Sequence, residues 1–391
     1  MRLKGDQATS RALNRRLLLN HLRRVGPATR SRLAEVSGLS NASISFVTAD
    51  LIAEGLLIDD SRSPTARGAP LRINYAARNA IGFKVTANLI RGVLTDLSTR
   101  VLATIELPLT DGEPQTVVQT ITTAIEILRP TTAQGAQVPL IGIGVGLPGM
   151  VDSETGLCRY VHRFGWRDVP FGKMLSQALG APVWIDNDTN AFALAQYLFG
   201  RGQAHQSVLA VVLGQGIGCG FVLNGRLYRG AHGLAGEIGH VVAEQSGRLC
   251  ECGRRGCLEA YCKEPALVEQ WISATRRDAR AGLTAADMAN AAASGEAGAL
   301  AVLNEAGQRL GRHLGVLVNL FDPGIIVLGG EAIRFGDALF GPARLAVEKA
   351  VVDIAPPIVI DWAEDDWERG ASALAIQHFF DFEITRMISA F

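Results

Sequence analysis

Apolar residues in the N-terminal part of the chain recur at helical spacing. Leu17, Leu18, Leu19 and Leu22 predict an amphipathic helix over residues 14–24, with these leucines on one face. A Gly-Pro pair follows and separates this segment from the next one.

A second and a third helix are predicted after that break. Thr29 is a suitable N-cap for a helix over residues 30–37, which should carry Leu33 and Val36 inward. After a glycine turn, Ser40 can cap a third helix whose core-facing residues are expected to be Ile44, Val47, Leu51 and Ile52. Two helices joined by such a short turn form the helix-turn-helix pattern.

A short strand pair completes this N-terminal module. An apolar run starts at Gly55, a polar loop follows, and residues 71–73 can return as the partner strand. The pattern predicts a winged helix-turn-helix over residues 1–75, and residues 76–391 form the rest of the protein.

Beyond residue 80, strand-like runs alternate with glycine turns and helices, which favours an α/β body. The predicted strands cover residues 81–85, 92–96, 141–146, 183–186, 207–213 and 325–328. The predicted helices cover residues 116–128, 190–198, 299–320 and 371–380.

Charge is distributed unevenly along the 391 residues. The chain has 38 basic and 38 acidic side chains, but residues 1–72 hold twelve Lys/Arg and six Asp/Glu. This excess suits an N-terminal module that faces an anion. Because no run of eighteen apolar residues occurs and the N-terminus is charged where a signal peptide is apolar, we expect a cytoplasmic protein.

One imidazole and three thiols lie within eighteen residues: His240, Cys250, Cys252 and Cys257. This is a ligand set for a closed tetrahedral Zn²⁺ site, whereas Mg²⁺ and Ca²⁺ prefer oxygen. The alternative is a group of buried cysteines beside a core histidine. We predict one structural zinc per chain, with no role for Cys158, Cys219 or Cys262.

The same segment resembles the signature of the ROK family, which contains sugar kinases and sugar-responsive repressors. Gly-Glu-Ile-Gly-His at 236–240 and Cys-Glu-Cys-Gly-Arg-Arg-Gly-Cys-Leu-Glu at 250–259 carry the resemblance. It implies two actin-like, ribonuclease-H-like lobes with a sugar cleft between them. The N-terminal module matches the repressor branch of the family.

The resemblance also implies a set of sugar-binding residues. Glu237 and Glu259 would accept hydrogen bonds from hydroxyls, and His240 would bind zinc through one nitrogen and sugar through the other. Asn187 would bind a hydroxyl, and Asp188 would be a vestigial general base, unless both only cap a helix. Gly149 and, in place of a family asparagine, Arg163 complete the set: Gly149, Arg163, Asn187, Asp188, Glu237, His240 and Glu259.

The two segments that correspond to the phosphate-binding motifs of ROK kinases differ from those motifs. ROK kinases carry Asp-x-Gly-Gly-Thr near the start of the body, and this chain has Lys-Val-Thr-Ala-Asn at 84–88. A second phosphate motif has Gln215 where kinases usually carry threonine. Because phosphate must approach the backbone of such turns closely, bulkier residues there predict that ATP binding is lost.

DNA contacts are expected at the start of the third helix and in the wing loop. The candidate base readers are Asn41, Ala42, Ser43, Ser45 and Phe46, and the candidate phosphate contacts are Arg62 and Arg67. The alternative is a module of the same shape that binds another protein.

These observations predict a sugar-responsive DNA-binding repressor that is not an enzyme. It would bind a palindromic operator as a homodimer or tetramer, with a sugar or sugar derivative as effector. The alternative is an ATP-dependent ROK sugar kinase that carries a DNA-binding domain.

Overall fold

A computed structural model describes residues 7–60, 68–128, 138–278 and 282–388. Its N-terminal elements are α1 (Gln7–Val25), α2 (Arg30–Ser37), α3 (Asn41–Ala53), β1 (Leu57–Asp59) and β2 (Leu71–Ile73). The Thr29 side chain caps α2, the Ser40 side chain caps α3, and β1 pairs with β2 in antiparallel register. The predicted order of three helices and a strand pair is therefore present.

The chain divides into two compact units. The first holds residues 1–186 and 368–391, and the second holds residues 187–367. The N-terminal module belongs to the first unit.

The first unit is built on a five-stranded sheet in the order β10-β6-β3-β4-β5. Its central strand runs parallel to one neighbour, β6, and antiparallel to the other, β4. A small antiparallel sheet, β7-β8-β9, follows β6. The elements are β3 (Asn79–Val85), β4 (Leu89–Asp96), β5 (Val101–Pro108), α4 (Pro114–Leu128), β6 (Leu140–Leu147), β7 (Met150–Asp152), β8 (Leu157–Val161), β9 (Trp166–Val169), α5 (Phe171–Leu179) and β10 (Val183–Asn187).

The second unit repeats this sheet arrangement, in the order β15-β14-β11-β12-β13. Its central strand β11 is again parallel to β14 and antiparallel to β12. The elements are α6 (Asp188–Phe199), β11 (Val208–Leu213), β12 (Ile217–Leu223), β13 (Arg226–Tyr228), α7 (Glu259–Cys262), α8 (Glu264–Thr275), α9 (Ala285–Ala293), α10 (Ala297–Phe321), β14 (Ile325–Gly329), α11 (Gly336–Ala350) and β15 (Ile358–Ile360). The last helix, α12 (Asp366–Ile388), begins here and belongs to the first unit from residue 368 onward.

Helix α12 returns the chain to the first unit and packs closely on its central strands. A Cβ atom on Gly144 of β6 would lie 1.8 Å from the Ala371 carbonyl oxygen, which is far inside van der Waals contact. Only glycine permits this approach of helix backbone to sheet.

Two sequence expectations in the N-terminal helices were wrong. Leu17 and Val36 were expected to face the core, but both side chains are exposed. Leu18, Leu19 and Leu22 fill the inner stripe of α1 and Leu33 fills that of α2, so each stripe is narrower than predicted. Within the described ranges, no single helix has the length and apolar composition to cross a bilayer; α2 and α3 meet that test only as a pair, bent by 119°.

Candidate functional site

The four predicted metal ligands come together in the second unit. His240 ends a 3₁₀ turn, Ile238–His240, and the three cysteines lie on the loop that precedes α7. An antiparallel bridge between Val242 and Cys257 closes this loop and brings the last thiol back beside the histidine.

Two pairs of the ligand atoms have the spacing that a tetrahedral zinc site requires. All four lie within 4.8 Å of one another. Cys252 Sγ is 3.7 Å from Cys257 Sγ, and Cys250 Sγ is 3.7 Å from His240 Nδ1. Zn–S bonds of about 2.3 Å and a Zn–N bond of about 2.0 Å at tetrahedral angles would separate the ligand atoms by about 3.5–3.8 Å. The cluster can therefore hold a metal ion of this kind.

Residues 240–257, which carry the four predicted ligands, are called the metal loop. A glycine is needed at one turn of this loop. Gly256 has φ +78°, and a Cβ atom there would lie 1.7 Å from the Glu244 carbonyl oxygen. The neighbouring Gly253 also has positive φ, at +84°, but a Cβ atom there would meet nothing within 4 Å.

Long-range contacts that sequence reasoning missed tie the metal loop to α10. The Arg309 guanidinium lies 4.4 Å from the Tyr261 ring centroid and forms ion pairs with Glu244 and Glu305. Tyr261 in turn accepts a hydrogen bond from the Arg248 backbone N–H through its hydroxyl, at 2.8 Å. The Glu305 pair lies within α10 at i,i+4 spacing, but no local signal predicts the contacts of Arg309 with Tyr261 and Glu244, because they join residues far apart in sequence.

Cys262 lies outside the cluster, as predicted. Its thiol is fully buried and donates to the Ala306 carbonyl oxygen at 3.5 Å. Burial raises the pKa of the Cys262 thiol to about 12, so it stays protonated and suits packing, not metal binding.

A carboxylate lies near the free edge of the His240 ring. With Nδ1 facing the thiol of Cys250, Nε2 lies 3.9 Å from Glu237 Oε2. Glu259 Oε2 accepts a hydrogen bond from the Ile217 backbone N–H at 3.1 Å. Desolvation raises the pKa of Glu237; the charge of His240 opposes this, and the negative charges of Asp188 and Glu259 add to it. Imidazole and carboxylates thus form one polar surface.

Asn187 and Asp188 stand at the junction of β10 and α6. Asn187 Oδ1 accepts hydrogen bonds from the backbone N–H groups of Thr189 and Asn190, at 2.9 and 3.3 Å, and so caps the helix. Asp188 is buried as the first residue of α6. The sequence left open whether Asn187 only caps a helix. The structure shows that it does cap α6, and that its side-chain amide oxygen is the atom that accepts the hydrogen bonds.

Gly149 and Arg163 lie in the first unit. Gly149 has φ +106° between β6 and β7, and a Cβ atom there would lie 2.4 Å from the Tyr160 carbonyl oxygen. Arg163 is exposed on a 3₁₀ turn, His162–Phe164.

Of the two turns that resemble kinase phosphate loops, the first is closed by its own hydrogen bonds and the second has a carboxylate packed against it. In the β3–β4 turn, Thr86 N–H donates to the Leu89 carbonyl oxygen and Leu89 N–H donates to Thr86 Oγ1, at 3.0 and 3.3 Å. At the β11–β12 turn, a Cβ atom on Gly214 would lie 1.8 Å from Glu331 Oε2.

Glu331 was missed by sequence reasoning, although an acid directly after Gly329-Gly330 was a visible signal. Its Oε1 accepts a hydrogen bond from Trp367 Nε1 at 3.3 Å. A carboxylate held against this turn would repel a phosphate there.

Helix α3 presents most of the predicted DNA readers to solvent. Asn41, Ala42, Ser45 and Phe46 are exposed, and the Phe46 side chain is 58% exposed. Ser43 is half-buried, and its hydroxyl lies 3.0 Å from that of the capping residue Ser40. Arg62 and Arg67 lie outside the described residues.

Comparison with known proteins finds the ROK family model matching residues 80–377. The xylose repressor of Bacillus subtilis (strain 168) is 28% identical over 389 residues, covering 96% of this chain and 98% of the relative. The glucokinase of Thermotoga maritima is 35% identical over 239 residues, covering 58% of this chain and 74% of the relative.

A solved structure is similar over almost the whole chain. It is described as a ROK family transcriptional regulator, a homologue of the Escherichia coli MLC protein. It superposes with a TM-score of 0.85 at 25% identity and covers 96% of this chain and 98% of its own. The likeness to a repressor and to a regulator therefore extends through the N-terminal module.

Proposed function

This chain belongs to the ROK family, and from that premise we propose that it is a sugar-responsive transcriptional repressor. The main support for this proposal is that similarity to a repressor covers much more of the chain than similarity to a sugar kinase. The match to the xylose repressor covers 96% of the chain, whereas the match to the glucokinase covers 58%. A repressor of the bacterial kind that this chain resembles would work in the cytoplasm, where bacterial DNA lies.

The N-terminal module would be the DNA-binding part, as a winged helix-turn-helix. Its second and third helices meet at a bend of 119°, close to the 90–120° usual for this motif. The α3 residues Asn41, Ala42, Ser43, Ser45 and Phe46 would enter the major groove, while Arg62 and Arg67 would contact phosphates. Paired modules in a homodimer or tetramer would bind a palindromic operator.

The effector would bind beside the metal cluster. Glu237, Glu259 and His240 Nε2 offer fixed polar groups for sugar hydroxyls, as do Asn187 through its amide nitrogen and Asp188. Gly149 and Arg163 are two further residues that we propose for sugar recognition. Sugar binding would favour one of two conformations of the protein that differ in their affinity for the operator.

Zn²⁺ would be the metal, held by His240, Cys250, Cys252 and Cys257. When bound, it would fix the plane and tautomer of His240 and offset most of the negative charge of the three thiolates. The protein itself would turn Nε2 of His240 toward Glu237. The metal ligand His240 would thus also be part of the polar surface that it forms with Glu237 and Glu259.

Sugar phosphorylation is not expected. The first phosphate-like turn lacks its glycines and acid, and the second is covered by Glu331. A base at Asp188 has no chemical use unless a phosphoryl donor is held beside it.

A thermal-shift screen tests the sugar-binding part of the proposal. Monosaccharides, amino sugars and sugar phosphates would be screened with and without ATP. A true effector at a hundredfold its Kd should stabilise the protein by about 2.7 kcal/mol. The alternative, a sugar kinase with an added DNA-binding domain, predicts ADP formation at about 1–100 per second with the stabilising sugar.

A further inference from the structure

One guanidinium of α1 contacts two side chains on the exposed face of α3. The Arg11 Cζ atom lies 5.0 Å from the centroid of the Phe46 ring, and the same guanidinium forms an ion pair with Asp50. Phe46 and Asp50 are one helical turn apart, so a single side chain spans both.

The contact with Phe46 bears on how that ring is oriented. An exposed phenylalanine on a helix can occupy more than one rotamer, and each would present a different apolar edge to a DNA groove. A guanidinium over the ring face favours the one orientation that keeps this cation–π contact. The ion pair with Asp50 fixes the guanidinium in turn.

The contact with Asp50 bears on charge. Asp50 is an acid on the helix that would enter the groove, and its carboxylate would repel phosphates. Arg11 neutralises it while keeping 46% of its own side chain exposed.

A neighbouring pair provides a comparison within the same two helices. Arg15, one turn after Arg11, forms a bidentate ion pair with Glu54, with both distances 2.7 Å. The Arg15 side chain is only 13% exposed. This pair joins α1 to Glu54, the residue that caps the end of α3, and Glu54 lies about two helical turns beyond the exposed ring.

We propose that Arg11 is a positioning residue for DNA recognition: it holds the Phe46 ring in the orientation that reads a base pair and cancels the charge of Asp50. The proposal rests on the proposed DNA-binding function and adds a residue from outside the reading helix. The chemical feature read would be apolar, such as a thymine methyl group.

The test is selection from a randomised 30-base-pair duplex library with the full-length protein, followed by affinity and salt titrations on the selected duplex. Four proteins are compared: wild type, Arg11→Met, Arg15→Met, and the double variant Arg11→Met with Asp50→Asn. Arg11→Met and Arg15→Met make the same charge change, and each removes an ion pair from α1, with Asp50 of α3 and with its C-cap Glu54 respectively. Thermal unfolding of all four checks that the module stays folded.

We expect Arg11→Met to lower discrimination at one base pair of each half-site by about fivefold or more, the lower end of what one specific contact provides. Arg15→Met should leave the selected sequence unchanged. The double variant should recover general affinity because charge is restored, yet keep the weakened discrimination.

If the wild-type protein selects a motif and Arg11→Met selects the same motif with equal discrimination, the positioning role is wrong and the proposed function stands. A double variant that recovers the discrimination would also overturn it, because charge alone would then explain the effect. If the wild-type protein selects no motif, the DNA-binding function itself fails, and this proposal fails with it.

Discussion

The metal loop and the DNA-facing helix differ in what holds their functional side chains in place. In the metal loop, four ligands lie within eighteen residues, and the loop backbone brings their donor atoms to within 4.8 Å of one another. On α3, the proposed reader Phe46 is exposed, and its ring contacts Arg11, thirty-five residues earlier. Local sequence positions the first site, whereas packing between helices positions the second.

The largest expected effect is on the metal site. Cys250→Ser should abolish stoichiometric zinc, because three remaining ligands cannot close a structural site. Cys262→Ser is the matched control, since its buried thiol contacts the Ala306 carbonyl and not the cluster. Elemental analysis of both proteins is the measurement. Full zinc in the first variant, or none in the second, would contradict the ligand set.

The glycine turns of the metal loop give the next effect. Gly253→Ala should lower the free energy of unfolding by about 1–2 kcal/mol, the cost of a positive φ with a Cβ atom. Gly256→Ala should cost clearly more, because its Cβ would also clash with the Glu244 carbonyl oxygen.

Chemical denaturation of both zinc-loaded variants compares the two costs. Equal destabilisation would mean that the loop relaxes around residue 256. That result would contradict the view that local backbone geometry positions the metal ligands.

A smaller effect is expected on the DNA-facing helix. Phe46→Ala should change base preference at one position while altering the free energy of unfolding by no more than about 0.5 kcal/mol, since the side chain is exposed. Library selection and thermal unfolding check the two parts. Unfolding of the module would make Phe46 a core residue and contradict its place on the exposed face.

The smallest effect is expected at Arg163. A permanent positive charge where family members commonly carry asparagine suits a carboxylate or phosphate on the effector. Arg163→Ala should therefore weaken binding of an acidic or phosphorylated sugar more than binding of its neutral counterpart. Calorimetry with matched sugars measures this, and equal affinity of both proteins for the best ligand would leave Arg163 without a role in recognition.

The sequence predicted best what depends on neighbours along the chain. Thr29 and Ser40 were identified as caps, residues 30–37 and 71–73 match α2 and β2, and the four metal ligands lie together. The buried stripe of α1 was only partly predicted. Adjacent leucines cannot all face one side of a helix, so Leu17 points outward.

What the sequence could not predict depends on distant contacts. Arg309 reaches Tyr261 and Glu244 across more than forty residues, and Arg11 reaches Phe46 between two helices. Hydrophobic periodicity predicts which face of a helix is buried. It does not predict which charged residues of different elements form ion pairs. For Glu331, the sequence shows an acid directly after two glycines, but it does not show what the acid contacts. Its packing against Gly214 is visible only in the structure.

The central claim is that a sugar bound in the body controls DNA binding by the N-terminal module. The direct measurement is the affinity of the full-length protein for its selected duplex, by fluorescence anisotropy, with and without the sugar that stabilises it most. We predict a change of about five- to 150-fold, the usual range for coupling between two sites. An unchanged DNA affinity at saturating sugar, with both ligands shown to bind, would contradict the account.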